Sequence, residues 1–219
     1  MNTQKHKIIL ADDHILLRDA LSTLINGFDD YQVVGSVCNG NQLIQAIKDG
    51  HLPDLVLLDL NMPDMDGFET AKWLNQNHPD VQILILTMYD SEIALIRLLQ
   101  CGVKGFLKKD IHPSELRFAL KSVADGGYYY SQQTTGKLAN LFQRSADSQQ
   151  LVEKAMLSEK ELEFLRLAST DLTYKEIAAE LKLTPRAIDG YRDALFDKLD
   201  VKSRVGLAIY AVKNGIVTF

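Results

Sequence analysis

Two architectures in tandem are predicted: an α/β doubly wound, five-stranded parallel sheet, then an all-α domain of four helices carrying a helix-turn-helix. Three observations predict them. Between residues 7 and 127, strand-like apolar runs alternate five times with amphipathic stretches, the pattern of repeated βα units. Leu55-Val56-Leu57-Leu58 is apolar without interruption and ends on the carboxylate of Asp59, as expected of a strand buried on both faces. Beyond residue 155 the apolar spacing is helical throughout and punctuated by capping boxes.

The strands are read at Ile8–Ala11, Val33–Cys38, Leu55–Leu60, Val81–Thr87 and Gly105–Lys108. The helices are read near Leu16–Asn26, Asn41–Lys48, Gly67–Asn77, Ser91–Cys101 and Pro113–Asp125. Gly27 and Gly50 follow helices, where a left-handed cap favours glycine, and Pro113 suits the first helical position, which needs no donor. Pro63 and Asp66-Gly67 supply turn chemistry after the third strand. Gly126-Gly127 closes the fifth helix, and Tyr128–Tyr130 reads as a strand-like ending rather than a site. Lys137–Phe142 suits a short helix, while Gln143–Gln150 has no apolar face and reads as a linker. The expected divisions are therefore 1–127, 128–154 and 155–219.

In the last division Ser158-Glu159-Lys160-Glu161 and Thr173-Tyr174-Lys175-Glu176 are capping boxes. Lys182-Leu183 is a tight turn, Thr184 an N-cap, and Pro185 the first residue of a third helix with Ile188, Leu195 and Leu199 as its buried spine. A last helix holds Val205, Leu207 to Ile209 and Val212. Helix, short turn, helix with a polar outer face is the layout of a DNA-reading helix-turn-helix.

Charge is unevenly spread. Residues 155–219 carry ten basic and ten acidic residues, so the chain's net −5 resides entirely in the rest. An acidic first part argues against that part touching nucleic acid. No apolar run approaches the roughly 18 residues of a membrane helix, and Met1–Lys7 runs into Ile8 without a signal-peptide layout. Cys38 and Cys101 are far apart and in no ligand spacing, and the five histidines contain no i, i+4 pair. The expectation is a soluble, cytoplasmic chain with no membrane partner.

The chemistry lies at the strand ends. Asp12 and Asp13 end the first strand, Asp59 the third, Thr87 the fourth and Lys109 the fifth, all on one edge of the sheet. Open α/β sheets bind ligands at that edge. Three clustered carboxylates repel one another unless a cation joins them, and hard oxygen ligands favour Mg²⁺. Asp59 is then the phosphoryl acceptor, with Lys109 a point charge for phosphate and Thr87 a hydroxyl for a phosphoryl oxygen. Taken singly, Asp12-Asp13 suits a helix cap, Thr87 a plain strand end and Lys108-Lys109 a solvated pair. Their joint placement on one edge favours the functional reading. Asp59-Leu60-Asn61 begins like a calcium loop, but Pro63 and Thr70 stand where ligands belong.

These motifs resemble a flavodoxin-like response-regulator receiver domain. The likeness rests on Leu10-Ala11-Asp12-Asp13, Leu57 to Pro63, Asp66-Gly67, Leu86-Thr87 and Gly105 to Lys109, in order and spacing. It implies that a sensor histidine kinase phosphorylates Asp59, and that Asp12, Asp13, Asp59 and the Asn61 carbonyl hold Mg²⁺. It further implies a switch pair, Thr87 and Phe106, the ring moving inward as the hydroxyl turns to the phosphate. Asp110 stands where many receivers have proline.

Residues 155–219 resemble the four-helix output domain of the LuxR/FixJ/NarL family, through Leu157 to Glu161, Lys175 to Ala178, Val201 to Arg204 and Asn214 to Ile216. The resemblance implies a two-component transcriptional regulator, not an enzyme, that dimerises when phosphorylated and binds promoter DNA. The reading helix is about Pro185–Lys198, exposing Arg186, Asp189, Gly190 and Asp193, with Thr184 at its start and Arg192 near the edge. Asp189 and Asp193 stand where the family often carries Lys; aspartates cannot bind phosphate but can accept from cytosine N4. Lys175, Lys182, Arg186, Lys198, Lys202 and Arg204 are then the candidate phosphate contacts. Three other readings stay open: an Asp-nucleophile phosphatase, which needs a second Asp where Asn61 stands; a helical domain that binds protein; and a regulator working without phosphorylation.

Overall fold

The computed structural model describes residues 5–88, 92–131, 134–136, 157–214 and 216–217, which fall into two compact units. The expected Lys137–Phe142 helix and Gln143–Gln150 linker lie outside the described residues.

The first unit is a sheet with strands β1 (His6–Ala11), β2 (Tyr31–Val37), β3 (Leu55–Asp59), β4 (Gln82–Thr87), β5 (Gly105–Lys108) and β6 (Tyr129–Tyr130). Their order is β2-β1-β3-β4-β5-β6, every pairing parallel. Helices α1 (Ile15–Asn26), α2 (Gly40–Lys48), α3 (Gly67–Asn77), α4 (Glu92–Gln100) and α5 (Pro113–Ala124) make the connections. One sheet face packs Ile8, Leu10, Leu55, Leu57, Leu84, Leu86 and Leu107 against Ile25 of α1 and Leu116, Leu120 and Val123 of α5. The alternate residues Ile9, Val56, Leu58, Ile83 and Ile85 point to the other face and are equally buried. All five residues of β3 are buried, which is why its sequence shows no polar alternation.

β6 makes the sheet six-stranded, one strand more than expected. Tyr129 and Tyr130 pair with Gly105 and Phe106, and a two-residue strand carries too little pattern to be read as one. Gly105 is required there, because a Cβ would stand 2.5 Å from the Tyr129 carbonyl oxygen. Gly50 is left-handed at φ 94°, as expected, whereas Gly27 is right-handed at φ −75° because α1 simply runs into the following turn. Pro113 opens α5 behind His112 as its cap.

The second unit contains α6 (Glu159–Ala168), α7 (Tyr174–Glu180), α8 (Pro185–Leu199) and α9 (Arg204–Lys213). Both capping boxes form, at Ser158/Glu161 and Thr173/Glu176, and Thr184 caps α8 through Ala187 N. Lys182, at φ 53°, turns the chain sharply between α7 and α8. Phe164, Leu165, Ile177, Ile188, Leu195 and Leu207 form the core, with the Tyr174 and Tyr191 rings about 6 Å from Phe164. On α9 the core takes Leu207 and Ala211, leaving Val205 and Ile209 exposed.

Candidate functional site

A strand order of 2-1-3-4-5 reverses direction between β1 and β3, and a crevice opens at the carboxyl ends of those two strands. Asp12 follows β1 directly and Asp59 ends β3, so the topology puts both carboxylates at the crevice. Asp12, Asp59 and Thr87 are all buried, while Asp13 is exposed. Gly67 lets the start of α3 lie against this edge: its N–H donates to Leu60 O at 3.0 Å, and a Cβ there would collide with the Asp59 carbonyl.

Lys109 crosses from the end of β5 and binds the crevice together. Its Nζ lies 2.7 Å from Asp59 Oδ2, to which it donates, and 2.9 Å from Asp12 Oδ2. The Asp12 contact is a close ion pair that falls short of hydrogen-bond geometry, so Asp12 Oδ2 is a buried oxygen without a hydrogen-bond donor. Burial pushes Asp59 up to about 6, against the lowering effect of Lys109 and of the Asn61 N–H that donates to it. Burial acts on Lys109 in the opposite sense, but Asp59 and Asp12 prevail and hold its ammonium above its ordinary range.

Sequence reasoning missed His14 and Arg18. His14 Nδ1 lies 3.1 Å from Asp12 Oδ1 and 2.7 Å from Asp13 Oδ1, and the His14 N–H donates to Asp12 Oδ1 at 2.8 Å. Arg18 Nη1 donates to the Asp12 carbonyl at 2.5 Å. His14 follows the Asp12-Asp13 pair directly, which was the available signal, whereas Arg18 lies six residues past Asp12 on α1. One ligand atom from each of Asp12, Asp13, His14 and Asp59 falls within 4.8 Å of the others. The donor set fits a hard divalent cation: three carboxylates converge, two of them buried, and one buried oxygen lacks a donor.

Thr87 and Phe106 are both buried, and the Phe106 ring lies 5.6 Å from the Tyr130 ring. Lys109 N donates to Thr87 O at 3.1 Å, fastening the fifth strand end to the fourth.

In the helical unit the expected DNA-contact residues divide. Lys175, Lys182, Thr184, Arg186, Asp189, Gly190, Asp193 and Lys202 are exposed. Lys198 is instead engaged within the unit, its Nζ 2.9 Å from Glu161 Oε1. Arg204 donates to the Ala168 and Thr170 carbonyls at 2.8 Å each, closing the end of α6. Sequence spacing does not reveal such partners, which lie 36 or 37 residues away. Asp189 and Asp193 also hold Arg192: Nη1 is 2.8 Å from Asp189 Oδ1, and Nε and Nη2 are each 2.8 Å from Asp193 Oδ1. The Asp193 hydrogen bond is the main cause holding the Arg192 guanidinium above its ordinary pKa.

A buried aspartate at the switch point of a parallel sheet, in a chain that also carries a capped helix-turn-helix, defines a class: a phosphoacceptor regulator with a nucleic-acid-reading output. Family comparison agrees. Residues 8–121 match the response regulator receiver domain, and residues 155–211 match the bacterial regulatory proteins of the luxR family. The chain belongs to the response regulators with a LuxR-type output domain, which are transcription regulators and not enzymes. It is similar to the oxygen regulatory protein NreC of Staphylococcus haemolyticus strain JCSC1435, 32% identical over 97% of this chain and 100% of that one. NreC of Staphylococcus carnosus strain TM300 is 33% identical over the same shares. Among solved structures, RcsB from Salmonella enterica serovar Typhimurium bound to promoter P1flhDC with the phosphomimetic BeF3⁻ superposes with a TM-score of 0.64. It is 25% identical and covers 98% of this chain and 100% of its own. ChrA of a heme-sensing two-component system gives 0.52 at 26% identity, covering 97% and 99%. Among the described residues no helix is long and apolar enough to cross a membrane.

Proposed function

We propose that Asp59 accepts a phosphoryl group from a sensor histidine kinase, and that this event controls pairing of two copies of the chain on promoter DNA. The observation that carries the reading is Lys109 bridging Asp59 and Asp12 at the sheet's switch point. A carboxylate oxygen of Asp59 forms the new O–P bond while the P–N bond to the kinase imidazole breaks. Asp12, Asp13, Asp59 and the Asn61 carbonyl are the residues that would hold Mg²⁺, which when bound neutralises charge on the transferring oxygens. Lys109 offers its ammonium to a phosphoryl oxygen, and the Thr87 hydroxyl donates to another. Phe106 follows the vacated space, biasing a two-state receiver.

The reading assigns 1–127 to the receiver, 128–154 to the connector and 155–219 to the DNA-binding domain, working in the cytoplasm where promoter and kinase domain meet. Lys175, Lys182, Thr184, Arg186 and Lys202 position the duplex through its backbone. One small neutral domain binds weakly, so two joined copies gain through effective concentration.

The test is solution mass with Mg²⁺, with and without beryllofluoride, alongside DNA binding at two salt concentrations. A shift to dimer with tighter, salt-sensitive binding, absent in Asp59→Asn, is expected. An unchanged mass and affinity at confirmed Asp59 occupancy would break the link between phosphorylation and output.

A further inference from the structure

We propose that His14 is a ligand of the cation site at the acidic edge, through Nδ1, and that it biases the site toward first-row transition cations over Mg²⁺. The inference rests on the cation-binding part of the reading above and adds a fourth side chain and a preference among metals.

His14 stands at the N-cap of α1, where a side chain ordinarily accepts a hydrogen bond from the first helical turn. The His14 side chain makes no such bond. Its ring turns back instead, placing Nδ1 3.1 Å from Asp12 Oδ1 and 2.7 Å from Asp13 Oδ1. The His14 N–H donates to the same Asp12 Oδ1 at 2.8 Å, and Arg18 donates to the Asp12 carbonyl, so side chain and backbone of Asp12 are both held. Neighbouring ligands of an octahedral cation, at bond lengths of about 2.1 Å, lie about 3.0 Å apart. The nitrogen and the two carboxylate oxygens already keep that spacing, and an oxygen of Asp59 falls within 4.8 Å of all three.

A histidine beside two acids is ordinarily a weak surface ion pair. That account leaves a single Nδ1–H to serve two carboxylate oxygens. It also leaves Asp12 Oδ2, on a side chain only 5% exposed, without a hydrogen-bond donor. A cation answers the nitrogen and the oxygens together. Mg²⁺ favours oxygen and gives up its waters reluctantly, whereas imidazole nitrogen suits the transition cations. Three carboxylates alone make a site for Mg²⁺, Ca²⁺ or Mn²⁺. With His14 the site is mixed nitrogen and oxygen, and its affinity rises from Mn²⁺ to Co²⁺. Asp59 remains the acceptor in either case. What His14 changes is which cation occupies the edge when Asp59 reacts.

The experiment uses the untagged full chain, wild type and His14→Ala, with circular dichroism confirming the fold of each. Mn²⁺ is added and read by electron spin-echo envelope modulation, which detects the nitrogen of a directly bonded imidazole. Calorimetry gives the affinities for Co²⁺ and Mg²⁺, and intact-mass spectrometry gives phosphoryl uptake in Mg²⁺. The wild type is expected to show the nitrogen coupling and His14→Ala to lose it. The ratio of Co²⁺ to Mg²⁺ affinity should fall about ten- to a hundredfold in the variant. No nitrogen coupling in the Mn²⁺-loaded wild type, its persistence in His14→Ala, or an unchanged ratio overturns the proposal. Phosphoryl uptake in Mg²⁺ then leaves the phosphoacceptor reading standing. A wild type that binds no cation overturns the proposal too, and if it also takes up no phosphoryl group the phosphoacceptor reading falls with it.

Discussion

Lys109 Nζ donates to Asp59 Oδ2 at 2.7 Å, across the crevice between two strand ends that are 50 residues apart in sequence. The contact occupies the position where positive charge is needed most, since Asp12 and Asp59 are both buried. Lys109 is the resident counter-ion of the acidic edge.

Removing that counter-ion should expose the cost of the cluster. Lys109→Met is expected to lose about 3–5 kcal/mol of stability in EDTA, because two buried carboxylates lose their cation. Mg²⁺ should return more of that loss than it adds to the wild type, since binding to the folded state alone stabilises by mass action. Urea unfolding in EDTA and in Mg²⁺ measures both increments. Equal increments in the two proteins would rule out Lys109 and the divalent cation answering the same carboxylates.

Asp59→Asn should take up no phosphoryl mass from a small phosphodonor while keeping the wild-type fold, as intact-mass spectrometry and circular dichroism would report. Asn keeps the shape of the buried side chain and an oxygen for the Lys109 N–H, so the edge stays assembled. Persistent labelling of this variant would move the acceptor elsewhere.

Glu161 predicts a pH dependence of the helical unit. Burial raises its pKa, but the Ser158 N–H and Lys198 outweigh burial and hold it below the ordinary 4.5. A carboxylate depressed in the folded state contributes stability that is present above pH 4.5 and lost as the pH falls through its folded value. Glu161→Gln should therefore flatten the stability curve on the acid side of pH 4.5 while costing about 0.5–1 kcal/mol at neutral pH through the weakened cap. Helix content followed from pH 7 to pH 3 at fixed urea is the measurement.

Gly105→Ala should detach β6. Its methyl group would meet the Tyr129 carbonyl at 2.5 Å and Leu84 Cδ1 at 2.9 Å. The expected cost is about 1–3 kcal/mol, as for overpacking at a tight site. Amide exchange should show lost protection at Tyr129, whose N–H donates to Lys104 O at 2.9 Å, with β1 and β3 unaffected.

The acidic edge was legible because strand ends are where periodicity is strongest: a buried run that stops at Asp59 fixes that residue's place to within one position. Capping chemistry made α6 to α8 equally clear, since Ser158, Thr173 and Thr184 each bond the backbone three residues on. What stayed hidden was set by side-chain reach. Lys198 finds Glu161 and Arg204 finds Ala168 only after the helices pack. The Arg192 clamp combines an i, i+3 spacing that is visible with a rotamer that is not. β6 escaped because its two residues are held by the neighbouring Gly105-Phe106 ladder rather than by a pattern of their own.

The matched charges of Asp189, Arg192 and Asp193 bear on how the protein finds its target. A chromosome is overwhelmingly wrong sequence, and a regulator with a strongly cationic reading face spends its time parked on it. Here residues 155–219 have no net charge, and the Arg192 guanidinium is already answered by two acids. Under the proposed function, random duplex should therefore hold this face weakly, leaving more of the protein free for a partner kinase to reach. Promoter occupancy would then follow the phosphoryl group at Asp59 rather than lag behind a slow release from bulk DNA.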